Sequence, residues 1–131
     1  MIFNRLFSTT SLKLSLINRS RVEIVDNSRL ALEGMLYKRR PIIINVYNEQ
    51  NSASIGDRVL LALCGRMCKA IVVGCKGYFH KPGRARFDSS YVVLIDNDNN
   101  PLGTRIIKPI SSVLRKNPKM AKIVSMATLF V

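Results

Sequence analysis

Five short runs of apolar, mostly β-branched residues divide this chain, and residues that favour turns separate them. The runs are Val22 to Val25, Ile42 to Val46, Val59 to Leu63, Ala70 to Val73 and Tyr91 to Ile95. Short strands at this spacing, without a long helical pattern, are typical of small barrels, in which closure removes exposed strand edges. We therefore predict an all-β fold, a small closed five-stranded barrel.

The C-terminal tail has a different pattern. Ser111 or Ser112 can cap a short helix through Val113 to Lys116, which ends before Pro118. The run Ile123 to Met126 fits either another strand or a helical turn. We therefore add a short C-terminal helical segment to the predicted barrel.

The size and charge of the chain limit both its fold and its partners. With 131 residues and 47% apolar content, the chain can bury one core, which indicates a single main domain. It carries 21 Lys and Arg against 8 Asp and Glu, and no acid follows Asp98. A surplus of +13 repels itself on a compact fold, and binding to a polyanion relieves this repulsion. Charge therefore favours nucleic acid over a solubilising surface or an anionic membrane face.

The first 21 residues are basic and contain no acid, and Ile2, Phe3, Leu6 and Phe7 share one face at helical spacing. Mitochondrial transit peptides have this composition. We predict that residues 1–21 form a transit peptide or a basic N-terminal extension, and that residues 22–131 form the β-barrel domain. The alternative for the extension is an arm that binds RNA. No apolar run approaches the ~20 residues needed to span a bilayer.

The residues that could support catalysis or metal binding are few and poorly spaced. Cys64, Cys68, Cys75 and His80 form a loose series, whereas structural zinc sites carry a tight pair of ligands at each end. We interpret the cysteines as reduced structural thiols and predict no metal. His80 is the only histidine and lies among cations, and no nucleotide-binding glycine pattern occurs. The chain is therefore predicted not to be an enzyme and to need neither a cofactor nor a small-molecule substrate.

Five segments occur in an order that matches a known family. They read VEIVDNS, IGDRVLLAL, KAIVVG, RFDSSYVVLIDNDNNPLGTRI and KIVSMA. From Val22 to the C-terminus the chain resembles the universal large-subunit ribosomal protein of the L-fourteen type, in particular its animal mitochondrial form. The resemblance implies a barrel in the mitochondrial matrix that binds large-subunit rRNA near the subunit interface. It further implies contacts with neighbouring large-subunit proteins and a bridge to small-subunit rRNA.

The predicted RNA-binding residues rest on both arguments, because the sequence places cations in loops and the family places those loops against RNA. Arginine can grip phosphate in a bidentate manner, and Tyr78 could stack on an unpaired base or fix the loop to its own barrel. The set is Lys38, Arg39, Arg40, Arg66, Lys69, Lys76, Tyr78, Lys81, Arg84 and Arg86.

A second surface is implied by the resemblance alone. Family members are the docking site for the ribosome silencing factor, which blocks subunit joining. The matching positions here are Thr104, Arg105, Lys122 and Ser125. An RNA contact or a contact within the chain is the alternative role for Arg105.

The chain departs from the bacterial members of this family in the short hairpin between Leu63 and Lys69, in Arg29 and Leu30, and in its N-terminal extension. These departures favour the mitochondrial branch. The alternative function is that of a free-standing small-barrel protein that binds single-stranded nucleic acid. Such a protein needs several exposed aromatic residues on one sheet face, and this chain has no Trp.

Overall fold

The computed structural model describes residues 16–36, 39–49, 52–76 and 87–131, which form a curled sheet with short helices at its margins. The five strands are β1 (Glu23–Ile24), β2 (Ile42–Val46), β3 (Arg58–Leu63), β4 (Arg66–Gly74) and β5 (Tyr91–Ile95). The helices are α1 (Arg29–Met35), two 3-10 helices (Ser112–Lys116 and Pro118–Met120) and α2 (Ala121–Met126).

The strands follow the order β1-β5-β4-β3-β2, and all neighbours are antiparallel except the parallel pair β1 and β5. A two-residue turn, Cys64 and Gly65, joins β3 to β4, and both residues have positive φ, at 52° and 76°. Two successive positive φ values match the right-handed twist of a tight hairpin. Gly65 adopts this backbone without steric cost, so the hairpin predicted from the sequence forms here.

The predicted full closure of the barrel was wrong, because the sheet is a curled half-barrel. At the seam between its two edges, the segment before β1 joins the start of β2 through an isolated bridge between Arg21 and Ile42 and a 3.1 Å hydrogen bond from Val22 N to Pro41 O. β1 is only two residues long, because the chain soon turns away and Ser28 caps α1, which begins at Arg29. The edge at β1 therefore has too few extended residues to form a continuous hydrogen-bonded ladder with β2.

Two cores form, one on each face of the sheet. The first contains alternating residues of β2 to β5, among them Ile43, Val59, Leu61, Ala70, Val72, Val92 and Leu94. The second lies under the C-terminal segment and contains Ile71, Val73, Val93 and Ile95 with Ile106, Ile110, Leu114 and Ile123. Because both faces of β5 are covered, all five of its residues are buried, which explains its continuous apolar run.

Helix α1 was not predicted, since the sequence suggested only turn-forming residues between the runs Val22 to Val25 and Ile42 to Val46. The Ser28 side chain accepts a hydrogen bond of 3.2 Å from Ala31 N and so caps the helix. Ala31 is buried in the first core, and a Cβ on Gly34 would lie 2.7 Å from Leu63 Cδ1. Gly34 therefore allows α1 to pack closely on the end of β3.

The predicted C-terminal helical segment is confirmed and is more detailed than expected. Ser111 Oγ accepts a hydrogen bond of 3.3 Å from Val113 N, and the turn that follows is a 3-10 helix that ends before Pro118. The ambiguous run near Ile123 is helical, as α2. No helix in the part of the chain that the structure describes is long and apolar enough to cross a membrane.

Asp26 is a fully buried carboxyl group between β1 and α1. Within the described ranges neither of its carboxyl oxygens has a hydrogen-bond partner. Gly103 packs against it so closely that a Cβ there would lie 3.1 Å from Asp26 Oδ2. Burial raises the pKa of Asp26 to about 6, and the neighbouring Ser28 offsets only part of that rise.

This raised pKa predicts a specific pH dependence of stability. The folded state binds the Asp26 proton more tightly than the unfolded state, so this group lowers the free energy of unfolding as pH rises from about 4 to 6. A shift of about two pKa units corresponds to about 3 kcal/mol. Because part of this effect is already present at pH 4, Asp26→Asn is expected to be stabilised relative to the wild type by about 2 kcal/mol more at pH 7 than at pH 4. Urea unfolding across this range measures the difference.

Asp98→Asn, which changes an exposed acid in a turn, is the matched control and should show no such difference. If the difference in the free energy of unfolding between Asp26→Asn and the wild type is the same at pH 4 and pH 7, the raised pKa of Asp26 is contradicted.

Candidate nucleic-acid interface

Two cations lie next to one acid, Glu23, at the margin of the sheet. The Lys108 ammonium donates to Glu23 Oε1, and an Arg40 Nη2 atom lies 4.0 Å from Glu23 Oε2. Ser89 Oγ donates to the same Oε2 at 3.0 Å. Partial burial alone would raise the pKa of Glu23, but the hydrogen bonds from Lys108 and Ser89 and the two nearby positive charges lower it overall. We call Glu23, Arg40, Lys108 and Ser89 the Glu23 cluster.

The two flanks of the predicted RNA-binding loop lie beside the Glu23 cluster. Lys76 N donates to Ser90 Oγ at 3.4 Å, and Glu23 N donates to Ser90 O at 2.9 Å. On the other flank, Phe87 packs edge-on against Tyr91 with ring centroids 5.8 Å apart. Lys76 is exposed at this position. The predicted loop residues Tyr78, Lys81, Arg84 and Arg86 lie outside the described residues.

Arg39 and Arg40 lie where β2 begins and are both exposed. Ile42 pairs with Ala62, and Ala62 pairs with Met67, so these arginines emerge at the end of the ladder that carries the β3–β4 turn. Arg40 O also accepts a hydrogen bond of 3.0 Å from Arg21 Nη1. Arg40 thus links the hairpin end of the sheet to the Glu23 cluster. The predicted neighbour Lys38 lies outside the described residues.

The remaining predicted cations on β4 are separated from the loop. Arg66 is exposed at the start of β4, whereas Lys76 follows its end. Ten extended residues span roughly 30 Å, so one phosphate cannot contact both side chains. Lys69 is half-buried between Leu60 and Ile95 in mid-strand. The structure therefore divides the predicted RNA-binding residues into a loop group and a hairpin group, and Arg39 and Arg40 lie between them.

Most cations have no acid partner within the described ranges. The ion pairs there join Arg29 to Glu33 at 3.4 Å, and Arg40 and Lys108 to Glu23. Other acids are used by turns instead. Asp57 Oδ2 accepts from Ser54 N at 2.8 Å, and Asp96 Oδ1 accepts from Asn100 N at 2.9 Å. The positive charge that the sequence shows thus remains available to a polyanion.

Sequence reasoning missed the Glu23 cluster as a unit, and with it Lys108. Glu23 and Lys108 are 85 positions apart and meet only because β1 pairs with β5 beside the C-terminal segment. The Lys108 ammonium also lies 5.3 Å from the Tyr91 ring centroid. The only available signal was the position of Lys108 in the acid-free C-terminal quarter.

Two of the predicted docking residues are fixed by one amide side chain. Asn27 Oδ1 accepts hydrogen bonds from Thr104 N at 2.8 Å and from Arg105 N at 3.0 Å, and Asn27 Nδ2 donates to Thr104 Oγ1 at 3.0 Å. A Cβ on Gly103 would lie 2.8 Å from Asn27 Oδ1, so only glycine at position 103 allows the backbone to lie this close to the Asn27 side chain. Thr104 and Arg105 are thereby exposed on a rigid turn.

The other two predicted docking residues lie on α2, beside that turn. The Lys122 ammonium donates to Asn100 Oδ1, and Ser125 Oγ donates to Lys122 O at 2.6 Å. The end of α2 is joined to the same segment by a 3.2 Å hydrogen bond from Ile106 N to Met126 O. The structure thus brings Thr104, Arg105, Lys122 and Ser125 onto neighbouring segments, and we call them the docking surface.

The three cysteines are half-buried thiols that pack against the first core. Burial raises the pKa of both the Cys68 and the Cys75 thiols, which keeps them protonated at neutral pH. The described ranges contain no group of three or more His, Cys, Asp or Glu that could hold a metal ion.

Comparison with known proteins identifies the family of this fold. The model of the family described as ribosomal protein L14p/L23e matches residues 15–131, which extends beyond the segments recognised in the sequence. The chain is also similar to the zebrafish (Danio rerio) large ribosomal subunit protein uL14m. The two are 42% identical over 131 aligned residues, which cover 97% of this chain and 89% of the relative. The chain therefore belongs to the ribosomal protein L14p/L23e family, in its animal mitochondrial form.

Proposed function

We propose that this protein is a structural constituent of the large subunit of the mitochondrial ribosome, in the mitochondrial matrix, and that it binds large-subunit rRNA near the subunit interface. Family membership and the likeness to zebrafish uL14m support the ribosomal role. The observation that carries RNA binding is the position of the Glu23 cluster, which places Arg40, Lys108 and Lys76 beside both flanks of a loop that is rich in cations.

The arrangement suits phosphate binding for an electrostatic reason. Glu23 orients Arg40 and Lys108 but neutralises only one unit of charge. Lys81, Arg84 and Arg86 add three positive charges between Lys76 and Phe87, and no acid lies between Asp57 and Asp88. Arginine binds phosphate oxygens in a bidentate manner, and each phosphate bound releases condensed counterions. Folded rRNA is the polyanion that this surface binds.

The docking surface serves a second partner. Thr104 and Arg105 are fixed by Asn27, and Lys122 and Ser125 lie on the adjoining helix, so an incoming protein meets a preorganised polar surface. We assign this surface to the ribosome silencing factor, in keeping with the matching family positions. Contacts with neighbouring large-subunit proteins and a bridge to small-subunit rRNA complete the role at the subunit interface.

The first test measures the salt dependence of RNA binding. The double variant Arg39→Gln/Arg40→Gln should lower the log-log slope of affinity against salt by about 1.5 for a transcript of the mitochondrial large-subunit rRNA, because two phosphate contacts are lost. Arg29→Gln is the matched control, since Arg29 is exposed on α1 and paired with Glu33. A slope equal to that of the wild type would exclude Arg39 and Arg40 from the RNA interface.

The second test addresses the docking surface. Arg105→Glu/Lys122→Glu should weaken binding to the silencing factor by at least about tenfold, because two cations at a polar interface are replaced by anions. Lys116→Glu, an exposed cation outside the docking surface, should bind with wild-type affinity. Calorimetric titration measures both, and undiminished affinity of the double variant would remove this assignment.

A further inference from the structure

Three exposed cations on the two 3-10 helices have no assigned role. Arg115 and Lys116 lie in the first helix and Lys119 lies in the second. All eight acids of the chain fall within the described ranges, and none is within ion-pair distance of these three side chains there. We call Arg115, Lys116 and Lys119 the C-terminal cation group.

The backbone beneath this group is firmly anchored. Leu114 and Met120 are both buried in the second core. Asn117 N donates to Leu114 O at 3.2 Å and ends the first helix, and Asn117 Oδ1 accepts from Lys119 N at 3.1 Å and caps the second. The cations therefore project from a fixed scaffold, which reduces the entropy lost when they bind a ligand.

Arg115 has an unusual environment for an exposed arginine. The central carbon of its guanidinium lies 3.8 Å from the centroid of the Phe130 ring. Phe130 is itself fixed by its parallel pairing with Ile110, including a 3.0 Å hydrogen bond from Val131 N to Ile110 O. One face of the guanidinium is thus covered by an aromatic ring, and exposure of the residue leaves the opposite face open to solvent.

The group lies near the loop flanks described above. Ser111, immediately before the first 3-10 helix, donates from its N–H to Val73 O at 3.0 Å. Val73 lies in β4 only three residues before Lys76. An RNA strand that contacts Lys76 can therefore continue toward Arg115.

We propose that the C-terminal cation group binds an unpaired nucleotide of rRNA. The nucleobase stacks on the open face of the Arg115 guanidinium, and Lys116 and Lys119 bind flanking phosphates. Unpaired bases of loops and bulges stack on guanidinium planes, whereas a base inside a duplex has no free face. A phosphate contact alone would need the charge of Arg115 but not its orientation on Phe130. The inference rests on the proposed RNA binding but uses residues outside the RNA-binding set given above.

The test compares two RNA probes with the full chain. One is a hairpin from the large-subunit rRNA with an unpaired loop, and the other is the same sequence in a fully paired duplex. Arg115→Lys keeps the charge and removes the planar group, so it should weaken loop binding about tenfold and change duplex binding less than about twofold. Lys116→Gln/Lys119→Gln should instead lower the salt slope for the hairpin by about 1.5. Arg29→Lys, the same exchange at an exposed arginine on α1, should leave both affinities unchanged.

The outcomes separate the two proposals. If the wild-type chain shows no salt-dependent binding to either probe, the proposed function fails. If the wild type binds and Arg115→Lys matches it on the hairpin, or loses equally on both probes, base stacking at Arg115 is overturned. An unchanged salt slope in the double lysine variant overturns the phosphate contacts.

Discussion

The pairing of the extended segment 105–111 with the rest of the chain is the interaction on which the structure depends. On one side Ile107 N donates to Val25 O at 2.9 Å, and on the other Ile110 N donates to Leu129 O at 3.1 Å. The segment lays Ile106 and Ile110 over β5 and so builds the second core. A half-barrel that lacked this layer would expose the outer face of β4 and β5, which contains Ile71, Val73, Val93 and Ile95.

The same pairing positions the candidate sites. Lys108 reaches Glu23 because its segment runs beside β1, and Thr104 and Arg105 meet Asn27 at the start of that segment. The two 3-10 helices continue from its end, which brings Arg115 to Phe130. Residues that we propose for RNA and protein binding are therefore carried by the element that completes the fold. Loss of this segment would remove Ile106 and Ile110 from the second core together with the residues proposed to bind RNA and protein.

The sequence predicted the elements whose signal is local. The bounds of β2 and β5 coincide with the apolar runs Ile42 to Val46 and Tyr91 to Ile95, and Ser111 was one of the two cap residues predicted. Helix α1 was missed because its Ser28 cap follows two further turn-forming residues. Full closure of the barrel was predicted wrongly because the length of β1 depends on pairing with segments that are distant in sequence. The Glu23 cluster was not predictable from spacing, since Glu23, Arg40 and Lys108 meet only through strand pairing.

The distribution of charge links this fold to its role. Asp57 and Asp96 stabilise turns and Asp26 is buried, so these carboxylates form no ion pairs with the exposed cations in the described ranges. A surplus of +13 on a chain of 131 residues then favours a highly charged partner.

Sedimentation of mitochondrial extracts that contain the tagged chain tests whether the protein is bound in the large ribosomal subunit through its positive charge. We expect the protein to travel with the large ribosomal subunit at moderate salt and to leave it as salt rises. A protein that stays near the top of the gradient under the same conditions would contradict this expectation and would favour a free single-strand-binding barrel.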